Sequence, residues 1–474
     1  MDSNRVLEIF KGITRIPRES GHEEQIIAYL QHFASEHSLE CRTDEAGNVV
    51  IVKPASPGKE NIPVLVLQSH SDMVCEKNSD VEHDFSKDPI KYEIKDGWMV
   101  APDTTLGADC GIGIAAELAL LESDRPTGRI ECLFTVSEET GLDGAKALKP
   151  GFITGKTLLN LDSEDEGELF VGCAGGIDTT AVFRYSSSDL PEGVNLFSCR
   201  IYNGIGGHSG DDIDKGRANA VQLMARFLYS TLGCYALCAI DGGNKRNAIA
   251  REASCVIAVR DNGEQMKRLF SQFAEDVRNE YSSSEPDLSF EFKEVSGDYR
   301  AMSDFDAQRL VSALYSAPHG VLAMSQDIQG LVETSSNLAS VKMTGDGAVR
   351  IGSSQRSSIV SACRAAGEKM QACFELAGAE VTHENEYPGW KPDMNSRILK
   401  ISRDAYKELF GNEPVVRAIH AGLECGLFLD TYPDLDMISF GPTLRGVHAP
   451  GERLDLASLD KFVKLLDKIV VEFC

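Results

Sequence analysis

The apolar positions change period along the chain. Ile26, Ile27, Leu30 and Phe33 recur at helical spacing, after an opening stretch that also reads as helix. Ser20-Gly21-His22-Glu23 has the pattern of a capping box for that helix. Asn48–Val52 and Pro63–Leu67 are short apolar runs, the second apolar throughout, as a strand covered on both faces is. A helix is predicted from Gly111 to about Leu121, and strands over Ile130–Val136 and Thr157–Leu161. Strands that alternate with helices predict an α/β unit with a mostly parallel sheet. From about Ile177 the rhythm differs. Strands near Phe197–Ile201 and Ser254–Val259 alternate with helices near Ala218–Tyr229 and Gln265–Tyr281, which reads as a second, α+β unit. After Glu386-Tyr387-Pro388-Gly389-Trp390 the first style returns and ends with a short buried strand at Asp436–Gly441. There is no internal repeat, low-complexity segment or long linker.

Composition narrows the function. The 474 residues carry 47 Lys and Arg against 73 Asp and Glu, a formal charge of −26. Such a balance opposes affinity for nucleic-acid phosphates and for anionic membranes. No run approaches the length of a membrane span, and charges interrupt the first apolar residues where a signal peptide would be unbroken. Thirteen cysteines, with no Cys-x-x-Cys, read as reduced thiols of a cytoplasmic protein.

Five short polar motifs follow a predicted strand, open a helix or lie near the end. They are Ser69-His70-Ser71-Asp72, Thr105-Leu106-Gly107-Ala108-Asp109-Cys110-Gly111, Val136-Ser137-Glu138-Glu139, Asn160-Leu161-Asp162-Ser163 and Arg445-Gly446-Val447-His448-Ala449-Pro450-Gly451. In open α/β sheets ligands gather beyond the carboxyl ends of the strands. These motifs would bring two imidazoles and up to five carboxylates to one edge. That many carboxylates do not ionise together without cations. Two His and three Asp/Glu suit a pair of zinc-like divalent metals, and the chemistry implied is metal-assisted hydrolysis. The acidic run Glu164, Asp165, Glu166 and Glu168 reads as a solvated loop. Three near-matches fail. Gly151–Thr157 is one residue short of a phosphate loop and precedes a strand. Gly207–Asp211 lacks the last glycine of a nucleophile elbow. Gly111–Ala116 fits a dinucleotide fingerprint but follows a loop instead of a strand.

In this order the motifs resemble those of the co-catalytic dinuclear-zinc metallopeptidase family, which includes aminoacylases, glutamate carboxypeptidases and carnosinase-like dipeptidases. Gln68–Val74, Gly206-Gly207-His208-Ser209-Gly210 and His420-Ala421-Gly422-Leu423-Glu424-Cys425-Gly426 resemble its aminoacyl-histidine dipeptidase branch, and the likeness covers essentially the whole chain. The resemblance implies roles. His70 and Asp162 would hold one zinc, Glu139 and His448 the other, with Asp109 bridging. Asp72 would orient the His70 ring, and Glu138 would act as general base on a metal-bridging water. The peptide after the bridging Asp is cis in this family, here Asp109-Cys110. Relatives often carry Asn or Asp where Cys110 stands, so no side-chain role is carried over to it. His208 would steady the oxyanion, often from the partner subunit in relatives. Arg356 would take the substrate's C-terminal carboxylate, and Asn247 and Glu424 are further substrate candidates; His420 is open between a structural and a substrate-lining role.

The expected architecture is a catalytic unit, 1–176 and 382–474, with its mostly parallel sheet sandwiched by helices, and an inserted α+β lid and dimerisation unit, 177–381. The implied activity is metal-dependent hydrolysis of unblocked dipeptides by a cytoplasmic homodimer that uses zinc, with manganese or cobalt as substitutes. An N-acyl amino acid deacylase and a catalytically silent peptide binder are the alternative readings.

Overall fold

The computed structural model describes every residue except Asp261 and Cys474. The chain divides into two compact units. One comprises Met1–Gly172, Trp390–Ala418 and Leu423–Cys474, the other Cys173–Gly389 and Ile419–Gly422.

The first unit is built on an eight-stranded sheet in the order Glu40–Thr43, Val49–Lys53, Ile130–Thr135, Leu65–His70, Thr157–Asn160, Asp436–Ser439, Glu168–Cys173, Val415–Ile419. Its centre is parallel: Leu65–His70 lies between Ile130–Thr135 and Thr157–Asn160, and Asp436–Ser439 extends the same direction. Antiparallel pairs flank this centre. The centre is what matters for function, because parallel strands end at one edge together. The helix Ala108–Glu122 is buried almost all round and packs on Leu65–His70 and on Ser3–Ile13. Arg397–Phe410 packs on Leu456–Phe473 and on Asp436–Ser439.

The strand expected over Pro63–Leu67 lies at Leu65–His70. Proline has no N–H to give a ladder, which delays the start. At the other end, polar Gln68, Ser69 and His70 stay in register with Leu133, Phe134 and Thr135, so the strand carries His70 itself to the edge. The capping box does not form. The helix there starts at Glu24 without a side-chain cap. Ser20 Oγ donates instead to Asp72 Oδ2 (2.7 Å), and Glu23 Oε1 accepts from Ser137 N (2.8 Å) and Ser137 Oγ (2.9 Å).

The second unit carries an antiparallel nine-stranded sheet. Helices Ala220–Ser230, Glu264–Glu280, Asp304–Ser316 and Val360–Leu376 share its apolar core, with Phe227 set edge-on to Phe270. Residues 173–176 and 382–389, expected in the catalytic unit, fall here because Gly175–Arg184 and Glu380–Tyr387 pair with each other in this sheet. Apart from Val381 and Tyr387 the strand Glu380–Tyr387 is polar, so no periodic pattern marks the boundary. Ile419–Gly422 also returns to this unit and seats His420 in it.

None of the twelve described cysteines is in a disulfide. Among the described residues no helix is long and apolar enough to cross a membrane.

Candidate metal centre

Each motif residue of the first unit is delivered by an element end. His70 closes its strand, and Asp162 lies two residues beyond Thr157–Asn160, where Leu161 N is held by Gln68 O at 2.9 Å. Glu138 and Glu139 open a one-turn helix after Ile130–Thr135. Ser137 turns the chain there at φ +51°, and its amide and hydroxyl are held by Glu23. Asp109 stands at the start of Ala108–Glu122 with non-helical backbone, and the Asp109–Cys110 peptide is cis. His448 sits in the loop ahead of Arg453–Asp455 at φ +63°, about half-exposed.

The side chains converge. Asp109 Oδ1 is 3.0 Å from His70 Nε2, and Asp109 Oδ2 is 3.2 Å from His448 Nε2. Asp162 Oδ1 is 3.2 Å from the same His70 nitrogen, and Glu139 Oε1 is 2.9 Å from the same His448 nitrogen. The two oxygens of Asp109 therefore face two separate histidine–carboxylate pairs. His70, Asp109 and Asp162 form one group able to hold a cation, and Asp109, Glu139 and His448 a second; Cys110 Sγ lies within reach of the first but donates to Leu161 O at 3.2 Å.

The donor set fits divalent cations. Glu139 Oε1 and Asp162 Oδ1 are buried and, although close to ring nitrogens, make no hydrogen bond. Buried carboxylate oxygens are ordinarily satisfied, and a shared cation is the partner this geometry lacks. The electrostatics point the same way. Burial, with Asp109 adding, lifts the Asp162 carboxyl to about 6. Burial also lifts Glu138 well above the usual range, with Asp162, Glu424 and Glu139 reinforcing the shift against His70. Asp109 goes the other way: burial opposes its charge, but His448 and His70 hold it far below the usual range. Too few positive charges serve too many acids.

Asp72 lies behind this centre. Its Oδ1 is 3.2 Å from His70 Nδ1 and accepts from Glu138 N at 3.1 Å, while Oδ2 accepts from Glu139 N at 3.2 Å. One carboxylate thus fixes a ring and the helix start that carries two neighbouring acids. Burial works against its charge, yet contact with His70 and the other donors holds it at about 2.

Glu424 is closed off. Its Oε2 accepts from Gln68 Nε2 (2.6 Å) and Thr135 Oγ1 (2.9 Å), and Gln68 Oε1 accepts from Asn160 Nδ2 (2.6 Å). Glu424 Oε1 has no hydrogen bond, and burial lifts the carboxyl to about 8. The acidic run after Asp162 is more engaged than a solvated loop. Asp165 pairs with Arg445 and Glu168 with Arg417, while Glu166 accepts from Tyr406 Oη and pairs with Lys461.

The second unit holds its own polar group. Arg356 is buried, its Nη1 donates to Tyr387 Oη at 3.0 Å, and its Nε has no partner. His420 Nε2 is 2.7 Å from Ser335 Oγ, and its buried Nδ1 is free of hydrogen bonds. Burial, with Arg356 nearby, pushes the ring down to about 4, so it is neutral at pH 7. His208 Nδ1 accepts from Gly210 N and Asp211 N, each at 3.3 Å. Asn247 is exposed, and its backbone carbonyl takes Ser209 N at 2.9 Å.

Sequence reasoning missed Arg18, Glu452, Ser20 and Glu23. Ser20 and Glu23 carried a signal, but a local one that pointed to a cap. Nothing marks Arg18 or Glu452 as buried, because their partners are backbone groups far along the chain.

Residues 66–472 match the model of peptidase family M20/M25/M40. Among curated proteins the chain is similar to the cytosol non-specific dipeptidase of Escherichia coli (strain K12), 40% identical over 469 residues that cover 98% of this chain and 96% of the relative. Among solved structures it is similar to the aminoacylhistidine dipeptidase of Vibrio alginolyticus, with a TM-score of 0.93 at 40% identity over 99% of this chain and 96% of that one. The aminopeptidase PepT of Bacillus cereus, at 19% identity and a TM-score of 0.65 over 100% of this chain and 99% of that one, shares the fold. The chain belongs to peptidase family M20/M25/M40.

Proposed function

We propose that this peptidase hydrolyses the peptide bond of unblocked dipeptides with a pair of divalent metals, zinc by donor preference. The observation that carries the reading is the split of Asp109, whose two oxygens face His70 and His448 separately. His70 and Asp162 would hold one metal, Glu139 and His448 the other, with Asp109 between them. Such a pair, when bound, supplies Lewis acidity to the scissile carbonyl and acidifies water. Glu138 takes a proton from the attacking water and hands it to the leaving amine. Asp72 keeps the His70 ring turned toward the metals.

Arg356 is assigned to the substrate's C-terminal carboxylate: a buried guanidinium with one unpartnered nitrogen suits it. His208 is assigned to the developing oxyanion. Asn247 stands as a secondary substrate contact, whereas the sealed setting of Glu424 turns that candidate from direct contact to action through Gln68 and Thr135. The second unit is assigned the roles of lid and dimerisation surface, and the active species a cytoplasmic homodimer, in keeping with the described cysteines, none in a disulfide, and the dipeptidase relatives.

The test is a panel of Ala-His, β-Ala-His, a tripeptide and N-acetyl amino acids, with metal content followed by mass spectrometry before and after chelation. The expected result is cleavage of the unblocked dipeptides, lost with the metals and restored by zinc. Faster turnover of the N-acetyl compounds would overturn the dipeptidase reading in favour of a deacylase.

A further inference from the structure

The loop that delivers Asp109 is held from two sides by residues with no part in the chemistry above. Glu452, only 2% exposed, accepts from Leu106 N (2.7 Å), Ala108 N (2.8 Å), Gly107 N (3.1 Å) and, at the limit, Asp109 N (3.5 Å). Arg18, equally buried, donates to Asp72 O (2.6 Å), Ser71 O (3.2 Å) and Gly107 O. Its guanidinium fills the space above Gly107: a Cβ there, at φ +68°, would stand 2.5 Å from Arg18 Nη2. Glu452 lies four residues beyond His448. Its own backbone is tied to the same region, with Ala101 N donating to Glu452 O at 3.0 Å and Gly451 N to Ala101 O at 2.9 Å.

A buried carboxylate is costly unless its lone pairs are filled. Here they are filled by consecutive backbone amides, charge-assisted bonds that a neutral side chain would not match. The amides so gathered immediately precede and include that of Asp109, and the residue that gathers them is joined by a short loop to His448. We infer that Glu452 is a positioning residue that sets the spacing of Asp109 and His448 before any cation arrives, with Arg18 as the opposite jaw that joins the Asp109 loop to the His70–Asp72 turn. The inference rests on the reading of Asp109 and His448 as metal ligands. It adds that the centre is built by the protein and not assembled by the metal.

Two measurements test it. In the parent protein stripped of metal by chelation, hydrogen exchange at the amides of Leu106, Gly107 and Ala108 is expected to stay slow; exchange at the rate of a free loop overturns the proposal without any variant. In Glu452→Gln, zinc affinity read by competition with a chromophoric chelator is expected to fall by about 10- to 100-fold, as for other partners that orient metal ligands. At saturating zinc, kcat should fall while KM for a dipeptide stays within about twofold, since the substrate's contacts are untouched. Zinc affinity within about twofold of the parent would reduce Glu452 to a structural buttress and overturn the proposal. A parent that binds no zinc overturns the metal reading, and this proposal with it, even where those amides stay protected.

Discussion

The polar clusters of the two units are built on opposite plans. In the first unit the candidate ligands are locked from behind. Asp72 holds His70 and the Glu138–Glu139 turn, Glu452 and Arg18 hold the Asp109 loop, and Glu23 holds Ser137. The atoms left unpartnered, Glu139 Oε1 and Asp162 Oδ1, are carboxylate oxygens. In the second unit Arg356 and His420 are tied by one hydrogen bond each, and Arg356 Nε and His420 Nδ1 are left unpartnered, along with the neutral oxygens Ser209 Oγ and Asn337 Oδ1. The difference teaches what each cluster waits for: unpartnered carboxylate oxygens call for cations, an unpartnered guanidinium N–H for an anionic group. A cluster that holds metal gains from rigidity. One that meets a ligand has to keep a donor free.

The sharpest break in that comparison is Glu138→Gln. It leaves the metal-facing oxygens in place but removes the proton carrier. Turnover is expected to fall by about 10²- to 10⁴-fold, with both metals retained by mass spectrometry. Full activity in this variant would refute the base assignment. Arg356→Ala probes the other cluster. Loss of a charge-assisted contact is worth roughly 1.5–3 kcal/mol, so KM for dipeptides should rise about 10- to 100-fold while metal content is unchanged. Dipeptide amides, which lack the carboxylate, serve as the control, and an equal loss with them would show that Arg356 acts on something else.

Much of the first cluster was legible because most of its candidate ligands are short polar interruptions at strand ends or a helix start. His70, Asp109, Glu139 and Asp162 each follow or open an element that periodicity reveals, whereas His448 lies in a loop and stood out only through its place in the order of motifs. What holds them was not legible. Arg18 and Glu452 act on backbone groups, and a backbone partner leaves no trace in the sequence. Ser20 and Glu23 illustrate the competing pull: their local pattern favours a helix cap, but Asp72 and Ser137 offer these side chains tertiary partners. The boundary near 382 was hidden for a related reason. Glu380–Tyr387 belongs to the second sheet through main-chain pairing, while Val381 alone among its mostly polar side chains packs on that unit's core.

The last effect expected is on stability and not on turnover, and comes from a buried acid outside both clusters. Glu117 lies in the helix Ala108–Glu122 at 0% exposure, beside Ser69 and Cys132, and neither carboxyl oxygen makes a hydrogen bond. Burial pushes its carboxyl well above the usual range, so the folded protein holds this proton to higher pH than the unfolded chain, which releases it at about 4.3. With the folded value raised, the unfolded state binds fewer protons between the two, and stability falls as pH rises. The contribution is intact below the unfolded value and is lost progressively up to the folded one. Glu117→Gln keeps the shape and removes the proton. The stability of Glu117→Gln minus that of the parent should therefore grow with pH above about 4.3, by up to about 1.4 kcal/mol per unit. Chemical denaturation of both proteins at pH 5, 6.5 and 8 measures that difference, in which the other titrating groups cancel. A difference that stays flat from pH 5 to 8 would mean that Glu117 is ionised in the fold. The first unit would then hold a charged carboxylate that no described cation or hydrogen bond satisfies, and unpartnered carboxylate oxygens would lose their meaning as a mark of the metal centre.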